Sequence, residues 1–176
     1  MKLLEKLYDK DFGSFNEQSN DVPNGCARAV LFDENNKIAL MYMPKFIRNN
    51  SSDFYVLPGG GIENNETVEE ALKREILEET GCNYHIVNEM GYFEINCAKD
   101  NIIGLSYYFL LKIEGEKKQP QMTNDEINWQ TKLYWCDPEE AFDLVSRQNV
   151  YDNMWLVFLK YCDSVIISKA IEYMKK

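Results

Sequence analysis

Residues 59–82 read Gly59-Gly60-Gly61-Ile62-Glu63-Asn64-Asn65-Glu66-Thr67-Val68-Glu69-Glu70-Ala71-Leu72-Lys73-Arg74-Glu75-Ile76-Leu77-Glu78-Glu79-Thr80-Gly81-Cys82. Set at about 100° per residue, the part from Thr67 to Thr80 is a helix with Val68, Ala71, Leu72 and Ile76 along one side. Thr67 followed by Glu70 has the form of a capping box, and Gly81 supplies the stop. Glu75, Glu78 and Glu79 stand at i, i+3 and i+4, on an arc that overlaps the one holding Val68 and Ala71. The acids therefore continue the inward stripe instead of the solvent face, and they do so at the end of the helix dipole that disfavours carboxylates. Each like-charge pair costs about 0.2–0.5 kcal/mol even on an exposed helix. Arg74 reaches Glu78 at i+4 and Glu70 at i−4 and offsets part of that; the remainder fits a divalent cation. An all-oxygen cluster without His or Cys points to Mg²⁺, with Mn²⁺ as its substitute. Helices rich in Glu, Lys and Arg are commonly just solvated faces. Here Gly59-Gly60-Gly61 feeds the acids and lets the backbone turn tightly beside a ligand or ion.

Outward from this segment, strands alternate with helices. Cys26–Phe32 reads as a buried strand, Asp33–Lys37 as a turn and Ile38–Met43 as the returning strand of a hairpin. A polar loop from Pro44 to Asp53 precedes a short strand, Phe54–Leu57. Beyond the helix, Tyr84–Val87, Met90–Ile95 and Ile103–Ile113 read as strands. Glu114–Asn124 reads as a charged, mobile loop and Leu133–Cys136 as a further strand. Asp137-Pro138-Glu139-Glu140 opens a helix running to about Ser146, with Pro in the first turn. Residues 151–176 form a C-terminal helical segment in one or two pieces, and residues 1–21 an irregular N-terminal arm. Alternation of this kind predicts an α/β fold with helices on both faces of the sheet, over a single domain 1–176.

Composition narrows the function. The 176 residues carry a formal charge of −10 and a pI near 4.7. So acidic a chain binds long nucleic acid poorly, because that binding draws on Lys and Arg opposite the phosphates; a small anionic ligand remains open to it through a bridging metal. The five cysteines and single histidine show no zinc spacing, and no apolar stretch is long enough to span a bilayer. Buried thiols in a cytoplasmic protein, without membrane association, are the expectation.

Gly60, Glu66 seven-residue-spaced from Arg74, and then Arg74-Glu75-Ile76-Leu77-Glu78-Glu79-Thr80-Gly81-Cys82 resemble the Nudix box, GX5EX7REUXEEXGU with U a bulky apolar residue. Every fixed position agrees, and the one departure is Cys82 in place of an aliphatic residue. The resemblance implies an α/β/α sandwich with a mixed sheet. It also implies a hydrolase that cleaves the pyrophosphate of a nucleoside diphosphate linked to another moiety X, by attack of water on phosphorus with Mg²⁺. By matching position, Glu75, Glu78 and Glu79 are the metal-binding carboxylates, the Gly60 carbonyl is a further ligand, Glu66 supports the loop and Arg74 orients a box glutamate. Glu126, with Asp125 as the alternative, is the candidate for an additional catalytic acid from a distal loop.

Arg28, Lys45 and Arg48 are candidates for holding phosphate oxygens. Tyr42, Phe46, Tyr55 or Tyr92 are candidates for stacking a base, and His85 reads as structural. Asn96 stands where the ADP-ribose group of the family tends to carry proline, and the signatures of the NADH and coenzyme A groups are absent, so the substrate subclass stays open. Three rivals share the scaffold: a non-catalytic nucleotide sensor, an enzyme like isopentenyl-diphosphate isomerase, which needs a catalytic cysteine, and an RNA-decapping enzyme, which the charge of −10 without a basic tract disfavours. A homodimer is a further expectation, with the apolar stretch from Met154 to Leu159 serving either as its interface or as core.

Overall fold

The computed structural model describes residues 1–12, 25–44, 54–97, 102–150 and 154–175. Eight strands form one mixed sheet: β1 (Leu3–Tyr8), β2 (Gly25–Phe32), β3 (Ile38–Tyr42), β4 (Tyr55–Val56), β5 (Gly59–Gly61), β6 (Asn83–Cys97), β7 (Ile102–Glu114) and β8 (Lys132–Cys136). Their order is β1-β6-β7-β2-β3-β4, with β5 paired to β2 and β8 to β3. Helix α1 (Val68–Thr80) covers one face, and α3 (Pro138–Arg147) and α4 (Met154–Met174) cover the other; α2 (Asn124–Asn128) is a short turn of helix between β7 and β8. The fold is the expected α/β sandwich.

β2 is buried along its whole length, and its alternation sorts the two cores. Ala27, Ala29 and Leu31 meet Ala71, Leu72 and Ile76 of α1. Val30 and Phe32 face Phe158, Cys162, Ile166 and Ile167 of α4. The small Ala27 and Ala29 let α1 approach the sheet closely, which sets its acidic C-terminal half above β5. The β2–β3 turn is tied by Asp33, whose Oδ1 accepts from the amides of Asn35 and Lys37 at 2.9 and 2.8 Å. The edge of β4 is closed by a side chain: the Gln148 amide accepts from the Tyr55 N–H at 2.8 Å and donates to the Tyr55 carbonyl at 2.9 Å. That satisfies backbone groups that an edge strand otherwise leaves open.

Three expectations change. The N-terminal arm is not irregular throughout, since Leu3–Tyr8 adds to the sheet edge parallel to β6. Leu4 and Leu7 pack on the α4-side core there, and the open backbone of β6 is what recruits them. The two strands expected over 84–95 are one, with register shifts between Ile86 and Asn88 and between Glu89 and Gly91. The apparent break is bulged, and Gly91 accommodates it at φ 120°. Residues 115–123 are not a free loop, because they run along the end of α1, with Lys118 N–H donating to Gly81 O at 3.1 Å and Gln121 N–H to Glu78 O at 2.7 Å. Of the two readings of the stretch from Met154 to Leu159, core is the one seen: Met154, Leu156, Phe158 and Leu159 are buried within this chain. Among the described residues, no helix is long and apolar enough to cross a membrane.

Candidate active site

The Thr67–Glu70 capping box forms: the Glu70 amide donates to Thr67 Oγ1 at 3.2 Å and the Thr67 amide to Glu70 Oε2 at 2.8 Å. It fixes where α1 begins, and Gly81, in the left-handed conformation at φ 66°, fixes where it ends. A Cβ on Gly81 would stand 2.2 Å from the Lys118 carbonyl oxygen, so this glycine also admits the passing 115–123 segment. Between these limits the three acids are graded in depth. The side chain of Glu78 is 34% exposed and that of Glu75 15%, whereas Glu79 is buried.

Each acid has a distinct partner. The Gly59 N–H donates to Glu79 Oε2 at 2.6 Å. Arg74 Nη1 donates to Glu75 Oε1 at 2.6 Å and lies 3.6 Å from Glu78 Oε2. The rest of the Arg74 guanidinium grips Glu66 through two bonds of 2.8 and 2.9 Å and reaches the Gly61 carbonyl at 3.0 Å. Glu66 in turn accepts from the Glu63 amide at 3.0 Å. Arg74 thus links the loop to the acids, and Glu70, a second acid within its sequence reach, is engaged by the helix cap. The Arg74 hydrogen bonds pull Glu66 down to about 2. Glu75 and Glu79 move the other way. Burial raises both; Glu78 adds to the rise at Glu75, and Glu75 and Glu126 add to it at Glu79. Desolvated carboxylates that repel one another form an unfavourable arrangement until a cation joins them.

The donor chemistry fits such a cation: carboxylate oxygens of Glu75, Glu78 and Glu79 next to a loop made of glycine. As the side chains stand, no acidic, His or Cys trio among the described residues converges on one point. One oxygen of Glu75 is held by Arg74 and one of Glu79 by the Gly59 N–H, so in these rotamers the acids point to separate partners. Gly60 is part of the same space, since a Cβ there would lie 2.4 Å from Glu75 Oε1.

The distal acid also comes to this place. Glu126 is 8% exposed, and its charge is felt at Glu79. It is the third residue of α2, and its Oε2 accepts from the Thr123 amide and hydroxyl at 2.6 and 2.8 Å, a second capping box. Asp125 is exposed beside it. Replacing Glu126 by Gln keeps an accepting oxygen for the cap and removes the charge; turnover is expected to fall by about 10²-fold with α2 intact. An unchanged rate removes Glu126 from the site.

Arg28 does not face outward to hold phosphate. It is 5% exposed on the α4 face of β2, where Nη1 donates to the Gly59 carbonyl at 3.1 Å and Nη2 to that of Leu57. Lys45, Arg48 and Phe46 lie outside the described residues. Tyr42 and Tyr55 stack on each other with centroids 4.9 Å apart, and Tyr92 stacks on Tyr107 at 5.6 Å. His85 Nδ1 lies 3.1 Å from Glu114 Oε1, at the start of β6. One contributor that sequence reasoning missed is Asp163, buried and bonded to Leu57. Its signal was present: an acid among Leu159, Ile166 and Ala170 on the apolar side of a helix.

Comparison with known proteins places this geometry in context. The family model for the NUDIX domain matches residues 23–154. A GDP-mannose pyrophosphatase of Yersinia pestis is 22% identical over 167 residues, covering 92% of this chain and 75% of that protein. An 8-oxo-dGTP diphosphatase of Proteus vulgaris is 38% identical over 55 residues, 31% of this chain and 47% of that one. Among solved structures, a NUDIX hydrolase from Nitrosomonas europaea superposes with a TM-score of 0.55 at 20% identity, covering 80% of this chain and 88% of that chain. A MutT protein from Methanosarcina mazei gives 0.53 at 16% identity, over 90% and 100% of the two chains.

Proposed function

The chain belongs to the Nudix family and is a pyrophosphohydrolase of that family; on that premise we propose that it hydrolyses the pyrophosphate bond of a nucleoside diphosphate linked to another moiety X, with Mg²⁺ or Mn²⁺ held by Glu75, Glu78, Glu79 and the Gly60 carbonyl. The observation that carries the reading is the placement of the partly buried Glu75 and the buried Glu79 against Gly59-Gly60, with Glu79 Oε2 accepting from the Gly59 N–H at 2.6 Å and a Cβ on Gly60 meeting Glu75. A divalent cation, when bound, supplies the positive charge and Lewis acidity that a pyrophosphate needs before water can attack it.

The chain's own residues do the rest. Arg74 fixes Glu75 relative to Glu66 and the loop, so the acid nearest Gly60 has a defined starting position. In this reading Glu126 is the proton acceptor for attacking water, and its cap, with the Thr123 N–H donating to Oε2 at 2.6 Å, supports a defined rotamer. The backbone of 115–123, bonded to Glu78 O and Gly81 O, keeps α2 against the box. Two features weigh against an isomerase. Cys82 is buried with its thiol donating to the Thr80 carbonyl at 3.4 Å, and burial raises its pKa, so it is a poor nucleophile. The complete set of box acids weighs against a sensor that binds without turnover.

The reading covers residues 1–176 as one unit, supported by a sheet that takes strands from Leu3–Tyr8 through Lys132–Cys136 and by α4 packed on it. A cytoplasmic setting is part of it, supported by the free, buried thiols of Cys26, Cys82, Cys136 and Cys162. The test is a product-identified hydrolysis panel with Mg²⁺ and with chelator. It spans GDP-mannose and other nucleotide sugars, 8-oxo-dGTP and ordinary nucleoside triphosphates, dinucleoside polyphosphates, ADP-ribose, NADH and coenzyme A. Cleavage of one class, lost with chelator and in Glu79→Gln, is the expected result. Tight nucleotide binding with no cleavage of any member would put the sensor first.

A further inference from the structure

The loop that delivers Gly59 and Gly60 is anchored from beneath, by residues outside the box. Asp163 of α4 is fully buried; its Oδ2 accepts from the Leu57 N–H at 2.9 Å and its Oδ1 from the Tyr108 hydroxyl of β7 at 2.8 Å. Arg28 Nε, a buried donor with no hydrogen-bond partner, lies 3.5 Å from the same Oδ1. The other two nitrogens of Arg28 donate to the carbonyls of Leu57 and Gly59. One ion pair therefore holds Leu57 by both its N–H and its C=O, and Gly59 by its C=O, across Pro58. Beyond its first residue, α4 lies outside the stretch matched by the family model, which ends at residue 154.

This arrangement matters because of what happens on the other side of the loop. There the Gly59 N–H is held by Oε2 of Glu79, one of the carboxylates read above as a cation ligand, so the loop and that acid share a fixed position. The α4-side anchors add to the β2–β5 pairing that sets the register of Gly59 and Gly60, and they fix the loop on the face away from the acids. A buried charge pair is not needed for packing in an apolar core, and hydrophobic residues of similar volume generally serve there as well. Its placement on three backbone groups of Leu57 and Gly59, next to the acids, is what gives it a use.

Resting on the hydrolase reading above, we propose that Asp163 is a positioning residue of the active centre: through Arg28 and Leu57 it holds the Gly59-Gly60 backbone where the box glutamates can share a cation with it. The C-terminal helix is then part of the metal site without touching the metal.

The test uses the full chain and Asp163→Asn, which keeps size and an acceptor for Leu57 N–H but removes the charge facing Arg28. Mn²⁺ affinity is read by electron paramagnetic resonance without substrate, and turnover is measured at saturating Mg²⁺ well below the melting transition. The expected result is a folded protein with Mn²⁺ affinity and kcat each down by roughly 10–100-fold, the range found when groups that orient metal ligands are removed, and KM little changed. Mn²⁺ affinity and kcat both within about twofold of wild type would overturn the proposal, because a merely structural role predicts that outcome in a variant that folds. Should Asp163→Asn not fold, Tyr108→Phe withdraws one hydrogen bond from Asp163 and leaves the charge pair; several-fold weaker Mn²⁺ binding supports the proposal and unchanged binding overturns it. Wild type that binds no Mn²⁺ would sink the hydrolase reading and this proposal together, whereas wild type that binds it beside an indifferent variant sinks the proposal alone.

Discussion

Replacing Glu79 by Gln is expected to leave a folded protein whose turnover is down by roughly 10³-fold or more, equivalent to about 4 kcal/mol of transition-state stabilisation. The side chain keeps its length, and the amide oxygen can still accept from the Gly59 N–H that now bonds Glu79 at 2.6 Å. What disappears is a charge. Glu78→Gln is expected to behave in the same way, with even less effect on folding, since Glu78 is partly exposed and its approach to Arg74 is a loose 3.6 Å. Near-normal turnover in both variants, measured with Mg²⁺ on the substrate the panel identifies, would remove the acids from the metal site.

The same substitution makes a thermodynamic prediction with a definite sign. Burial, first, and then Glu75 raise Glu79 above the ordinary carboxylate value of 4.5. The folded state therefore holds this proton more tightly than the unfolded chain does. Stability contributed by Glu79 in the metal-free protein is greatest below the unfolded value and is lost as pH rises toward and through the raised folded value. Glu66, pulled down to about 2, has the opposite slope: its contribution is present above the ordinary carboxylate range and lost as pH falls toward 2. Melting curves across this range with chelator should show Glu79→Gln gaining on wild type as pH rises, and Mg²⁺ should shrink the gap by stabilising only wild type. A gap that stays flat with pH would mean that Glu79 is not buried against like charge.

Gly59→Ala is expected to be among the most damaging single-methyl changes at the described glycines, and Gly60→Ala one of the more selective. Gly59 sits at φ 131°, where an added Cβ would lie 2.2 Å from the Ala27 carbonyl oxygen and 2.6 Å from the Arg28 Cα. Both obstacles are backbone of β2, paired in register with β5, and cannot step aside. Strain of this kind with an unfavourable φ costs about 3–5 kcal/mol, or roughly 6–20 °C of melting temperature in a chain this size. Gly60 has an ordinary φ, and the nearest atoms its added Cβ would meet are those of the Glu75 carboxylate, at 2.4–2.8 Å. That end of a side chain can swing, at the cost of its bond to Arg74. Gly60→Ala should therefore melt within a few degrees of wild type and yet lose about 10–100-fold in turnover through the displaced ligand. Equal melting temperatures for wild type and Gly59→Ala would show that β5 does not pair with β2 as described.

Signals confined to one turn or one strand were legible without coordinates. The capping box at Thr67, the stop at Gly81 and the inward slope of Glu75, Glu78 and Glu79 all follow from a period of 3.6 residues, because each depends on neighbours three or four positions away. The buried run Cys26–Phe32 and the Asp33–Lys37 turn were readable for the same reason. Glu126 could be suspected from the sequence, but nothing local shows that it is buried: it reaches the box because residues 115–123 bond to the end of α1. The N-terminal strand was missed because residues 1–21 are polar and carry little periodic signal of their own, and pairing with the β6 edge is what makes Leu3–Tyr8 a strand.

Arg28 and Asp163 mark the limit most clearly. A lone arginine in an apolar strand and a lone aspartate in an apolar helix each read as ambiguous, and the bond from Leu57 to Asp163 spans 106 residues. Sequence carries the type and spacing of chemical groups along a helix or strand, since these are set by short-range backbone geometry. Which buried charge meets which depends on how the sheet stacks against α1 on one face and α4 on the other. That packing made Arg28 a partner of Asp163 instead of a hand for phosphate.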